Sequence, residues 1–86
     1  MTVVDPLVNM RELVMAEIAE IRTGKDLPPT DINMDDLVLG EALGLDSLDL
    51  ATLVVSLEEK TGRDPFRTGF VMFRTVGELA DLFTAS

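Results

Sequence analysis

The residue types that usually carry chemistry are scarce in this chain. It has no cysteine and no histidine, so Ser-His and Cys-His nucleophilic pairs are excluded, as is a Cys/His zinc site. No glycine-rich loop precedes a lysine in the manner of a phosphate cradle. Asp35 and Asp36 form a carboxylate pair, but a chain this small buries them poorly, and solvated carboxylates make weak general acids. The run Asp31-x-Asn33-x-Asp35 opens like a calcium loop. Positions six and twelve of such a loop require glycine and glutamate; here they are Asp36 and Ala42, and the match fails. What remains is Ser47, set in Gly44-Leu45-Asp46-Ser47-Leu48-Asp49. Taken alone it reads as a helix N-cap. Its hydroxyl also lies where the backbone N–H groups of a helix start point outward, so a phosphodiester on it would gain about 0.3–1 kcal/mol from the helix dipole. Asp46 and Asp49 oppose such a group by a similar amount. The position is electrostatically neutral toward modification, so specificity must come from an external enzyme.

The elements that position Ser47 can be read from apolar spacing. Asp5-Pro6 predicts an N-cap and first helical residue. Leu7, Met10, Val14, Ile18 and Ile21 follow at helical intervals, with Glu12, Glu17 and Glu20 on other faces and Gly24 as a stop. The first helix therefore spans about residues 6 to 22. From Lys25 to Asp46 the chain reads as a long loop, with Pro28-Pro29 forbidding helix and one turn near Met34–Val38. A second helix runs from Asp46-Ser47 to Gly62. Leu50, Leu53, Val54 and Leu57 make its core stripe, while Asp49, Thr52, Ser56 and Glu59 face water. Leu48, Ala51 and Val55 form a further apolar stripe that a single buried face does not need. The run Gly69-Phe70-Val71-Met72-Phe73 predicts a short helical turn, because no second strand exists to pair with it. Thr75-x-x-Glu78 is a capping box that opens a last helix. The expected architecture is all-α: one domain over residues 1–86, a four-helix bundle of three longer helices and a short third one, with a long loop between helices one and two.

Composition narrows the function classes. Sixteen acidic and seven basic residues give a net charge of −9, which repels nucleic-acid phosphates and anionic membranes. No Lys or Arg falls between Lys25 and Lys60, whereas nine carboxylates do: Asp26, Asp31, Asp35, Asp36, Glu41, Asp46, Asp49, Glu58 and Glu59. Such a block either solvates one face or attracts basic partners. A chain of this size hides roughly 60–65% of its unfolded surface, too little for a deep catalytic cleft, so no autonomous catalyst is expected. No basic-then-apolar leader opens the chain and no membrane-length apolar run appears; a cytoplasmic monomer is expected.

Leu43 to Gly62, LGLDSLDLATLVVSLEEKTG, resembles the signature of acyl and peptidyl carrier proteins, and the rest of the chain is consistent with theirs. The resemblance implies a non-catalytic carrier. Ser47 would receive 4′-phosphopantetheine from coenzyme A through a magnesium-dependent phosphopantetheinyl transferase, and acyl or aminoacyl groups would ride on that arm as thioesters. It also implies that Asp46 helps the transferase recognise the site and that Leu48, Ala51 and Val55 are the apolar contact stripe. Glu58 and Glu59, with Asp49, would anchor partner arginines and lysines. Expected partners are that transferase, an acyl- or aminoacyl-loading enzyme, and synthases or transferases with basic surfaces. Thr52, Thr61, Arg63-Asp64-Pro65-Phe66 and the apolar Phe70–Phe73 run depart from the fatty-acid carriers. The phenylalanines either compensate for Thr61 in the core or form an enlarged acyl pocket or partner surface, and together the departures suggest a specialised polyketide, fatty-acid-like or amino-acid-derived pathway. A rival reading is an unmodified acidic helical adaptor that binds a basic partner through the second helix.

Overall fold

A computed structural model describes residues 6–85, with side chains from Met10 onward. Three helices follow in order: α1 (Pro6–Gly24), α2 (Ser47–Thr61) and α3 (Val76–Ala85). The Asp5 cap and the Leu7 contact lie outside what is described. Helix α1 runs two residues past the expected end, through Gly24. The reversal comes instead at Asp26, whose φ is 59°, and Leu27 N–H closes back onto Arg22 O at 3.0 Å. Helix α2 ends where expected, at a left-handed Gly62 whose N–H donates to Glu58 O at 2.9 Å. The box opening α3 is formed from both sides: Glu78 N–H donates to Thr75 Oγ1 (3.1 Å) and Thr75 N–H to Glu78 Oε1 (3.0 Å). At the far end of α3, Arg63 donates to the carbonyls of Phe83 (3.2 Å) and Thr84 (2.9 Å), which supplies cationic partners where a helix leaves its carbonyls unmatched.

The short third helix does not form among the described residues, so the expected four-helix bundle is a three-helix one with an irregular segment in the third helix's place. Residues 70–74 carry no helical turn. The single turn lies upstream, where Arg67 N–H bonds Asp64 O (3.3 Å) and Gly69 N–H bonds Phe66 O (3.1 Å). Pro65 favours that turn, and Gly69 leaves it at φ 144°, a conformation an L side chain resists. Downstream the backbone finds a partner after all, in the long loop rather than a second strand. Leu37 and Thr75 form an isolated bridge, Val38 N–H bonds Arg74 O (2.9 Å) and Val76 N–H bonds Asp36 O (3.0 Å).

Helix α1 is the common support. It packs closely against both α2 and α3, whose backbones, among the described residues, do not come as close to each other. Val14 and Ile18 of α1, Leu53 and Leu57 of α2, and Leu79 and Phe83 of α3 are fully buried. Each such side chain contributes about 1.5–3 kcal/mol. The long loop is pinned to the same core by Val38, Leu43 and Leu45. Phe66 and Phe73 pack against the same core, and Phe66 meets Phe83 of α3 edge-on at 6.3 Å. Glu17, off the apolar stripe of α1, is nonetheless buried at 5% exposure, and Lys60 Nζ donates to its Oε2 at 2.6 Å. That bond, first among its causes, raises the Lys60 pKa above the ordinary lysine value.

Candidate functional site

Ser47 is the first residue of α2 and is exposed. It is not the cap. That role belongs to Asp46, whose backbone is extended (φ −108°, ψ −176°) and whose Oδ1 accepts the Asp49 N–H at 2.9 Å. Asp49 Oδ2 returns the bond to Asp46 N–H at 3.0 Å, so the box is built from two aspartates rather than the commoner serine or threonine with glutamate. Among the described residues nothing hydrogen-bonds the Ser47 hydroxyl. A group attached there disturbs no bond, and it stands at the positive end of the helix dipole.

Asp49 is engaged within the chain itself. Lys25 Nζ donates to its Oδ2 at 2.5 Å, and this bond, with the Asp46 N–H next, holds its carboxyl below the usual aspartate value. Lys25 also donates to Gly44 O at 2.8 Å. Arg22, buried at the end of α1, donates to Leu43 O and, at 2.7 Å, to Pro28 O. The loop that delivers Ser47 is thus tied down by two cations, Arg22 in the last turn of α1 and Lys25 just past its end. Sequence reasoning assigned neither of them a role. The one available signal was that Lys25 is the last cation before the acid-only span.

The other expected site residues divide by face. Ser47, Ala51, Val55 and Glu58 line one groove of about 380 Å³, whose opposite wall is Phe66 and Phe70. Leu48 is 74% exposed and Val55 52% exposed, so the extra apolar stripe of α2 does face water. Glu58 is half-buried, and its pKa is raised, first by desolvation and then by the neighbouring Asp64 carboxylate. Glu59 is exposed and lies off the groove. A second groove, of about 300 Å³, runs between Leu37, Leu39, Leu50, Met72 and Phe73. Among the phenylalanines of the departing segment, Phe66 and Phe73 serve the core while Phe70 is 67% exposed, as is Met72 at 77%. Phe70 stacks on Phe66 with ring centroids 5.3 Å apart. Among the described residues no cluster of three potential ligands could hold a metal ion, and no helix is long and apolar enough to cross a membrane.

An all-helical fold with an exposed serine at the start of the helix beside an apolar groove is an arrangement suited to display of a tethered group. The chain matches the phosphopantetheine attachment site family over residues 13–83, and it belongs to that family. Members carry a covalently attached 4′-phosphopantetheine and act as carriers. No match was found among curated proteins or among solved structures.

Proposed function

We propose that this chain is an acyl carrier protein in which Ser47 bears the 4′-phosphopantetheine. The observation that carries the assignment is the division of labour at the start of α2. Asp46 and Asp49 close the cap between them, which leaves the exposed Ser47 hydroxyl with no structural duty. The bound group supplies a terminal thiol that holds an acyl or aminoacyl group as a thioester. The chain's own residues do the rest. Asp46 marks the site for the transferase, and the exposed Leu48, Ala51 and Val55 offer apolar contact to partner enzymes. Glu58 and Glu59 attract the basic rims of those partners. Asp49, engaged by Lys25, acts on partners through the shape of the turn and not as a free charge.

Loading enzymes and synthases with basic surfaces are the partners this surface suits. The protein works as a cytoplasmic monomer with no catalytic step of its own. The exposed Phe70 beside the groove, and Thr52 in place of an acidic anchor, favour a specialised polyketide, fatty-acid-like or amino-acid-derived pathway. The test is intact-protein mass after incubation with coenzyme A, magnesium and a broad-specificity phosphopantetheinyl transferase, with Ser47→Ala in parallel. One phosphopantetheine added to the wild type alone is the expected result. No addition to folded wild type, across several transferases, would leave the adaptor reading in its place.

A further inference from the structure

We propose that Lys25 is a positioning residue for the modification of Ser47, an inference that rests on the carrier reading above. Its ammonium holds two points on either side of the serine. Gly44 O, three residues before Ser47, accepts at 2.8 Å, and Asp49 Oδ2, two residues after it, accepts at 2.5 Å. The same Asp49 oxygen closes the cap onto Asp46 N–H at 3.0 Å. A single ammonium therefore joins the strand of loop entering the turn to the carboxylate that completes it, with Ser47 between. The Asp49 side chain is 17% exposed and that of Lys25 34%, so the pair is partly shielded from solvent screening.

The support behind the turn is otherwise thin. Gly44 N–H bonds Gly40 O (3.0 Å) and Gly40 N–H bonds Leu45 O (3.2 Å), both contacts within the loop itself. Beyond the apolar anchors Leu43 and Leu45, the side-chain hydrogen bonds among the described residues that tie this turn to the end of α1 come from Arg22 and from Lys25 just past it. Arg22 holds the buried Leu43 side of the loop. Lys25 is the one that reaches across Ser47 to α2. It also answers the Asp49 charge, which otherwise faces the phosphodiester that modification installs.

In that modification Ser47 Oγ forms a bond to the coenzyme A phosphorus nearest the pantetheine. The pyrophosphate P–O bond breaks, adenosine bisphosphate leaves with the bonding pair, and the hydroxyl proton passes to a base on the transferase. In-line displacement is sensitive to placement of the attacking oxygen, and a shift of about 1 Å costs up to about a hundredfold in rate. Loss of a positioning residue belongs in kcat, whereas loss of a docking contact belongs in KM.

The experiment measures steady-state modification by a phosphopantetheinyl transferase with coenzyme A and magnesium, for wild type, Lys25→Met, Lys25→Gln and Lys25→Arg. Amide hydrogen exchange is followed alongside. Lys25→Met and Lys25→Gln are expected to lower kcat about tenfold, with KM within about twofold of wild type. Lys25→Arg, which keeps the donors, should restore most of the rate. Exchange should quicken at residues 44–49 and stay unchanged in α3. The proposal is overturned by an unchanged kcat, by a loss confined to KM, or by unaltered exchange at 44–49. Failure of the carrier reading is distinguishable, because then the wild type itself goes unmodified and Lys25 loses its proposed role with it.

Discussion

At the scale of single residues, the serine that carries the proposed chemistry and the aspartate that carries the structure stand next to each other. Serine and aspartate cap helices about equally well, so residue preference alone does not choose between them. The choice is made by backbone conformation and by the residue three positions on: Asp46 is extended and Asp49 reciprocates. Removing Asp46 should therefore cost stability and removing Ser47 should not. Asp46→Ala is expected to lose about 1 kcal/mol, a fall of roughly 4–8 °C in thermal midpoint for a domain of this size. Ser47→Ala should stay within about 0.5 kcal/mol of wild type. Scanning calorimetry on the two variants checks both, and the reverse order would make Ser47 an ordinary cap. Glu17 teaches a related lesson. Its burial was invisible in the sequence because its partner, Lys60, lies 43 residues away, and periodicity within one helix carries no information about a cation on another.

At the scale of elements, both capping boxes depend on carboxylates held in their charged form. Asp49 lies below its ordinary value of 3.8, through Lys25 first and then the Asp46 N–H. Glu78 lies below its ordinary 4.5, through the N–H groups of Thr75 and then Arg74. A depressed acid contributes stability above its unfolded pKa and loses it as pH falls through the folded one. The starts of α2 and α3 should accordingly loosen as pH falls below the ordinary values of 3.8 and 4.5 and on through the lowered ones, which amide resonances near Asp46 and Thr75 report separately. Asp49→Asn should abolish the first of these transitions and leave the second. Glu58 runs the other way: its pKa is raised by desolvation and by Asp64, so its favourable contribution is present in acid and lost as pH rises past the raised value. Asp64→Asn should for that reason raise the thermal midpoint at pH 7 and narrow the difference between pH 4 and pH 7.

The element boundaries of α2 and the box of α3 were legible from local pattern because caps and apolar stripes are local physics. The Phe70–Phe73 run was not, since its apolar spacing fits a turn as well as an extended segment. What decided it was Gly69 and the bridge to Leu37, and the second of these is a contact with a distant part of the chain. The site was legible at Ser47 and on the exposed stripe of α2. It was illegible at Lys25 and Phe66, whose roles come from tertiary placement.

At the scale of the whole molecule, apolar residues are divided between a thin core and an unusually wet surface. Phe83 is fully buried while Phe70 is 67% exposed, although both sit in apolar stretches. Phe83→Ala should cost about 3–5 kcal/mol, a large share of the roughly 5–15 kcal/mol that holds such a domain folded. Phe70→Ala, which removes the stacking on Phe66, should cost no more than about 0.5–1.5 kcal/mol. Urea unfolding of the pair measures both, and a large loss at Phe70 would assign that ring to the core.

The placement of α1 has a consequence for how the chain comes off the ribosome. Among the described residues the close backbone packing of α2 and of α3 is with α1 and not between the two of them. The core that α1 supports is therefore complete only once α3 has been made. Contacts so far apart in sequence carry a closure entropy that must be met before they repay it. Until the Val76–Ala85 segment emerges, α1 and α2 hold a core that lacks Val76, Leu79, Ala80 and Phe83. Emergence of α3 is then the step that completes the core, and chains interrupted before Phe83 are the ones most exposed to chaperones and proteases.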